Sequence, residues 1–192
     1  MESLFTLWGK RDPDWEIKYQ KSVFEIFTEY GKTGVSQFTE SRSKTFGAGY
    51  EIFIIAFFIG LYFNQTKPLV EDKAKRKGCG QPIMYWGGIT ERLGRVKYEK
   101  IREFMFAALI ARTDIDFIAL DKGEMTPRKA VDMLVDKMEQ YANFGLDFLQ
   151  ERMEDNPNYF FKDTAFLRVF LDFLKKEDEE AIDDEDSPES LD

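Results

Sequence analysis

The stretch Ile52–Phe63, IFIIAFFIGLYF, carries no charge and no polar side chain except the Tyr62 hydroxyl. Any fold of this chain has to hide it from water. A helix that crosses a bilayer needs about 20 apolar residues. This run is bounded by Glu51 on one side and by Asn64 and Gln65 on the other, and it falls short. A helix apolar on every side yet too short to span is the buried central helix of a globular core. The aromatic and β-branched content would also suit a buried strand, but the length favours helix. Ala56 and Gly60 lie four apart and put a notch of small side chains on one face, where a second helix can come close. Glycine inside a helix costs about 1 kcal/mol relative to alanine, so the notch reads as a packing device.

The flanking sequence supplies the neighbours. Asp12 and Pro13 suit the cap and first position of a helix running to Gly31, with Trp15, Tyr19, Val23, Ile26, Phe27 and Tyr30 at helical spacing. Residues 65–88 hold two prolines and four glycines and read as a long loop. Residues 89–113 read as one or two helices with Tyr98, Ile101, Met105, Ala108 and Leu109 inward. Thr126 caps a long helix that opens on Pro127 and stops at Asn156-Pro157. Its stripe is Val131, Leu134, Met138, Tyr141, Gly145, Phe148 and Met153. A last helix spans 163–176, with Phe166, Val169, Phe170, Phe173 and Leu174. The expected fold is all-α: a single-domain bundle of roughly five to seven helices around the helix at about 50–63. The expected domain is 1–176, followed by an acidic, disordered tail at 177–192.

The net charge of −9 belongs to that tail. Ten of the chain's 36 acids lie from Glu177 onward, without a base; the other 26 face all 27 Lys and Arg. Residues 65–102 lean the other way, with ten bases against four acids. Lys73, Lys75, Arg76, Lys77, Arg92 and Arg95, with Tyr85 and Trp86 nearby, have the ingredients of a nucleic-acid surface: cations for phosphates and rings for unpaired bases. A solvated basic face is the plain alternative, with Tyr85 and Trp86 as core or interface residues.

Catalytic chemistry is constrained by what is missing. The chain has no histidine, which removes the commonest general base, the usual nucleophile triads and most zinc and iron sites. One cysteine rules out an intramolecular disulfide. Cys79 reads as a small loop residue, or as a thiol activated by Lys75, Arg76 and Lys77. Gly31-Lys32-Thr33 ends like a phosphate loop, but Ile26 occupies the position where that motif requires glycine. Asp114, Asp116, Asp121 and Glu124 are the best oxygen ligands for a hard cation. An EF-hand loop fails there, because Ile118, Ala119 and Met125 fall on ligand or glycine positions. MESLFTLWGKRDPDW has no apolar run long enough for a secretory signal, so a reducing cytoplasm is the expected setting.

Phe46, Phe53, Ala56, Gly60, Lys67, Pro68 and Leu69 form a pattern: an aromatic, an apolar Ala-x-x-x-Gly helix, a basic step, then Pro-Leu. Tyr141–Leu149, YANFGLDFL, adds a Tyr-Ala-x-x-Gly-Leu segment. Together these resemble small accessory proteins found beside bacterial DNA phosphorothioation (Dnd) and related phage-defence systems. The chain departs from the pattern at Asn64-Gln65-Thr66, where such proteins often carry arginine. The resemblance implies a bacterial accessory role and supplies no catalytic residue.

The leading expectation is a non-enzymatic accessory or interaction subunit of a bacterial DNA-processing or phage-defence assembly. It would need no cofactor and no membrane, and would work with a protein partner in the cytoplasm. One alternative is direct nucleic-acid binding through the basic 65–102 region, with the acidic tail competing for it. Another is a metal-dependent enzyme using Asp114, Asp116 and Glu124.

Overall fold

The computed structural model describes residues 2–28, 46–88, 97–162 and 164–171. The chain divides into two compact units, Met1–Gln150 and Glu151–Asp192. The described residues are mostly helical, with one small two-stranded ribbon.

In the first unit, α1 (Leu4–Gly9) starts at Ser3, whose hydroxyl accepts from the Thr6 amide at 3.1 Å. The sequence predicts a helix from Asp12, and here the structure corrects it. Asp14–Glu16 is a strand, β1, antiparallel to Arg76–Gly78, β2, with Trp15 opposite Lys77. Pro13 disfavours helix at Asp12, the residue before it. The Asp12 carboxylate then caps a different segment, accepting from the Gly80 and Gln81 amides at 3.1 and 3.4 Å. Helix begins only with α2, a π turn Gln20–Phe24 that continues into Glu25–Phe27. Tyr19, Val23 and Phe27 keep the helical spacing and are buried. Trp15, in the strand, stacks on Phe24 with 3.9 Å between ring centroids.

The apolar run forms α3 (Gly49–Tyr62). Glu51 sets its start, Oε2 accepting from the Gly47 and Ala48 amides at 2.6 and 3.3 Å. Ile52, Phe53, Phe57 and Ile59 are fully buried. Burial of each such side chain contributes about 1.5–3 kcal/mol. No described helix is long and apolar enough to cross a membrane.

Next come α4 (Ile101–Arg112) and α5 (Phe117–Asp121). Of the expected inward stripe, Met105 and Leu109 are fully buried, while Tyr98, Ile101 and Ala108 are half-buried. The longest helix is α6 (Pro127–Asp155), and the Thr126 hydroxyl accepts from the Lys129 amide at its start.

The notch on α3 meets α6. A Cβ at Gly60 would stand 2.2 Å from the Tyr141 carbonyl oxygen, and one at Gly145 would stand 1.9 Å from the Ala56 carbonyl oxygen. Only glycine permits backbones to approach this closely. The crossing joins α3 to the part of α6 around Tyr141–Gly145.

The second unit begins with the last turn of α6. Tyr159–Phe161 makes a 3-10 turn, and residues 165–171 are helical. Phe160 contacts Tyr159 and Phe166, each at 5.0 Å between centroids, and the Arg152 guanidinium lies over the Tyr159 ring. Phe173, Leu174 and the acidic tail lie outside the described residues.

Candidate functional site

The segment from Arg11 to Ser22 runs alongside α6, held by a series of polar contacts. Arg11 pairs with Asp132 at 2.5 Å. The Asp14 amide donates to Glu139 Oε1 at 2.8 Å. Asn143 Nδ2 donates to Glu16 Oε1 at 3.0 Å. The Tyr19 hydroxyl donates to Asp147 Oδ1 at 3.0 Å, and Ser22 to Gln150 Oε1 at 3.2 Å. Glu139, Asn143 and Asp147 lie four apart, so they stand one above another on one helix face.

The chain after α3 joins the same seam. Asn143 Nδ2 also lies 3.2 and 3.0 Å from the Lys67 and Pro68 carbonyls. The Lys67 ammonium pairs with Asp147, and the Val70 amide donates to Glu16 Oε1 at 2.9 Å. Lys18 closes the group, 2.9 Å from Glu16 Oε2 and 3.8 Å from Asp147. One polar atom inside the group, Asn143 Oδ1, is buried without a hydrogen-bond partner.

The two ends of the seam differ electrostatically. Burial alone would raise the Glu16 and Asp147 carboxyls. Hydrogen bonds from Lys18, the Val70 amide and Asn143 hold Glu16 below its ordinary value, and those from Lys67 and Tyr19 do so for Asp147. At the other end, Glu139 is pushed up to about 7, chiefly by burial; the Asp14 amide and Arg76 offset this in part, while Asp14 and Asp136 add to it. Cys79 belongs to that end and is buried. Burial first, then Asp12, Glu139 and Asp14, push its thiol well up. This corrects the idea of a thiol activated by neighbouring lysines, because the charges that reach it are acidic.

The basic residues singled out in the sequence are placed unevenly. Lys73 and Lys75 stand exposed on a 3-10 turn, Lys73–Lys75, which Asp72 caps by accepting from the Ala74 amide. Arg76 is half-buried, and its Nε donates to the Val70 carbonyl at 2.5 Å. Lys77 is exposed on β2. Arg92 and Arg95 lie outside the described residues. Of the two rings, Trp86 is core, fully buried with Nε1 donating to the Gln81 carbonyl, while Tyr85 is 52% exposed. Among the described residues no three carboxylates are grouped to hold a metal ion. Asp116 instead caps α5, accepting from the Ala119 amide at 2.8 Å, and Asp114 and Glu124 are exposed.

Beside the seam, Glu16, Ile17, Lys18, Val70, Ala74 and Lys75 line an open cleft of about 400 Å3. Spacing alone does not reveal this cleft, because its two walls lie more than fifty residues apart in the chain. Large apolar side chains are also left in water: Phe104 at 65% exposure, Ile118 at 69% and Phe117 at 47%. In comparisons with known proteins, no family model, no curated protein and no solved structure matches the chain.

Proposed function

We propose that this chain is a non-enzymatic accessory or interaction subunit, a helical bundle built on α3, that docks onto a bacterial DNA-processing or phage-defence assembly in the cytoplasm. The observation that supports it most is the exposure of Phe104, Phe117 and Ile118 on consecutive helices, α4 and α5. Large apolar side chains left in water near one another in the chain are what a partner covers on binding. The kind of assembly rests on the resemblance carried by Phe46–Leu69 and Tyr141–Leu149. The test is recovery of the tagged chain from its native extract, with and without nuclease, beside a Phe104→Ser, Ile118→Ser variant. A stoichiometric protein that survives nuclease and is lost with the variant supports the reading. Recovery of no protein, or of one indifferent to the variant, overturns it.

A second reading is favoured by the exposure of Lys73 and Lys75 on one turn. In it, the basic 65–102 region binds nucleic acid directly. Binding would then weaken steeply with salt and strengthen when residues 177–192 are removed. Salt-independent binding by the shortened chain would sink it.

A further inference from the structure

One end of the β1–β2 ribbon, residues 12–14 and 78–81, is held by two carboxylates that neither reading of function uses. Asp12 accepts from the Gly80 and Gln81 amides at 3.1 and 3.4 Å. It lies so near the opposite strand that a Cβ at Gly78 would stand 2.8 Å from Asp12 Oδ2. Glu139 of α6 is the second, with Oε1 accepting from the Asp14 amide at 2.8 Å. At this same end the Cys79 amide donates to the Pro13 carbonyl at 3.0 Å, and the Cys79 side chain is buried. Burial is what most disfavours an ionised Glu139, because an ion needs water that the seam does not supply. Of the charges that reach it, Asp14 on β1 and Asp136 on α6 repel an ionised carboxylate, while Arg76 on β2 and the Asp14 amide favour one. Arg76 is shared, since its Nε donates to the Val70 carbonyl. The balance leaves Glu139 with its proton up to about 7. The Glu16 end of the ribbon differs: Lys18, Asn143 and the Val70 amide all supply that carboxylate with donors.

We propose that Glu139 is a proton-operated latch on this end of the ribbon. Neutral, it lies in the seam against the Asp14 amide and keeps residues 12–14 and 78–81 closed around Cys79. Ionised, it leaves the seam for water, the ribbon end frays and the thiol is exposed. The rest of the ribbon stays in place, because Trp15 is buried and stacked on Phe24. The sign follows from linkage. The closed end holds the Glu139 proton more tightly than the open end, so opening is favoured as pH rises from about 4.5 to about 7 and levels off above. Asp12, which burial pushes up, works in the same direction. Glu16 and Asp147 are held below their ordinary values and Cys79 is pushed well above its own, so these three do not titrate in that window. The latch takes nothing from the docking surface at Phe104, Phe117 and Ile118, so it stands or falls separately from the function proposed above.

The chain has one cysteine, so a thiol reagent reports on this end alone. The test treats the full-length chain with 4,4′-dithiodipyridine across a pH series. Each rate is divided by that of the chain unfolded in urea at the same pH, which removes the pH dependence of the reagent and of a free thiol. The ratio should rise about tenfold or more from about pH 5 to about pH 7.5 in the parent, and stay level in Glu139→Gln. At about pH 7.5 it should also exceed, by about tenfold or more, the opening constant from hydrogen exchange at the Phe57 amide in α3, because the ribbon end opens without the core. The side-chain carboxyl carbon of Glu139 should titrate near 7. These last two measurements use the parent alone and decide the matter if the variant fails to fold. The proposal is overturned if the ratio is level in the parent, if Glu139→Gln follows the parent, if Cys79 opens no more often than Phe57, or if the Glu139 carbon titrates near 4.5.

Discussion

Helix α6 meets its two neighbours in opposite ways. Toward α3 it presents backbone: Gly145 and Tyr141 lie against Ala56 and Gly60 with no room for a side chain. Toward the segment Arg11–Ser22 it presents a series of polar groups, from Asp132 to Gln150. The first contact is set by volume, so its tolerance for change is a steric matter. The second is set by charge and hydrogen bonding, so its strength varies with pH. One helix thus joins a contact that chemistry barely perturbs to one that titrates.

The steric face should give the largest effect. Gly145→Ala places a methyl 1.9 Å from the Ala56 carbonyl oxygen and must separate the helices. It should cost about 3 kcal/mol or more, read from the denaturation midpoint. Gly60→Ala pries open the same crossing, so the double variant should lose less than the sum of the two singles. Full additivity would mean that the two glycines do not share one contact.

The polar face should show itself through pH. Glu139 titrates near 7 in the folded chain against 4.5 for a free side chain. The folded state therefore holds its proton more tightly, and stability falls as pH rises from about 4.5 to about 7. Allowing for partial exposure, that loss is about 2 kcal/mol. Glu139→Gln should remove it, so the difference between midpoints at pH 5 and pH 8 should shrink by that amount. An unchanged difference would place the titrating group elsewhere. The opposite end behaves in reverse. Glu16 and Asp147 are held below their ordinary values, so they stabilise the fold above about pH 4 and lose that contribution in stronger acid.

The smallest effect belongs to Tyr19. Tyr19→Phe removes the hydroxyl that donates to Asp147 and should cost about 1 kcal/mol. The same change should let the Asp147 carboxyl titrate at higher pH, visible in its side-chain carbon shift. A loss well below this would mean that the ring, which the variant keeps, holds the segment in place more than the hydroxyl does.

These two faces also mark what a single sequence can reveal. The α3–α6 crossing was half legible, because Ala56 and Gly60 show a notch by spacing alone, while Gly145 reads only as one member of the α6 stripe. The start of α6 was legible from Thr126-Pro127, since caps are local. The polar seam was not. Its partners are separated by 54 to 128 residues, and helical periodicity carries no information at that range. The same periodicity predicts helix at Trp15, whereas pairing with Lys77 makes it a strand residue. A clue was present in Glu139, Asn143 and Asp147, three polar residues four apart beside the apolar stripe of α6. The basic stretch was legible as charge, but its composition does not distinguish exposed Lys73 and Lys75 from Arg76, which the Val70 carbonyl takes up.

The long separation across the seam has a consequence in time. A ribosome adds roughly 5–20 residues per second, so Arg11–Ser22 waits roughly 6–25 seconds before its partners on α6 have been made. Through that interval Tyr19, buried in the finished fold, lacks the Asp147 carboxylate and the Asn143 carbonyl that its hydroxyl will meet. Residues 132–150 of α6 therefore decide when Arg11–Ser22 can complete its polar contacts.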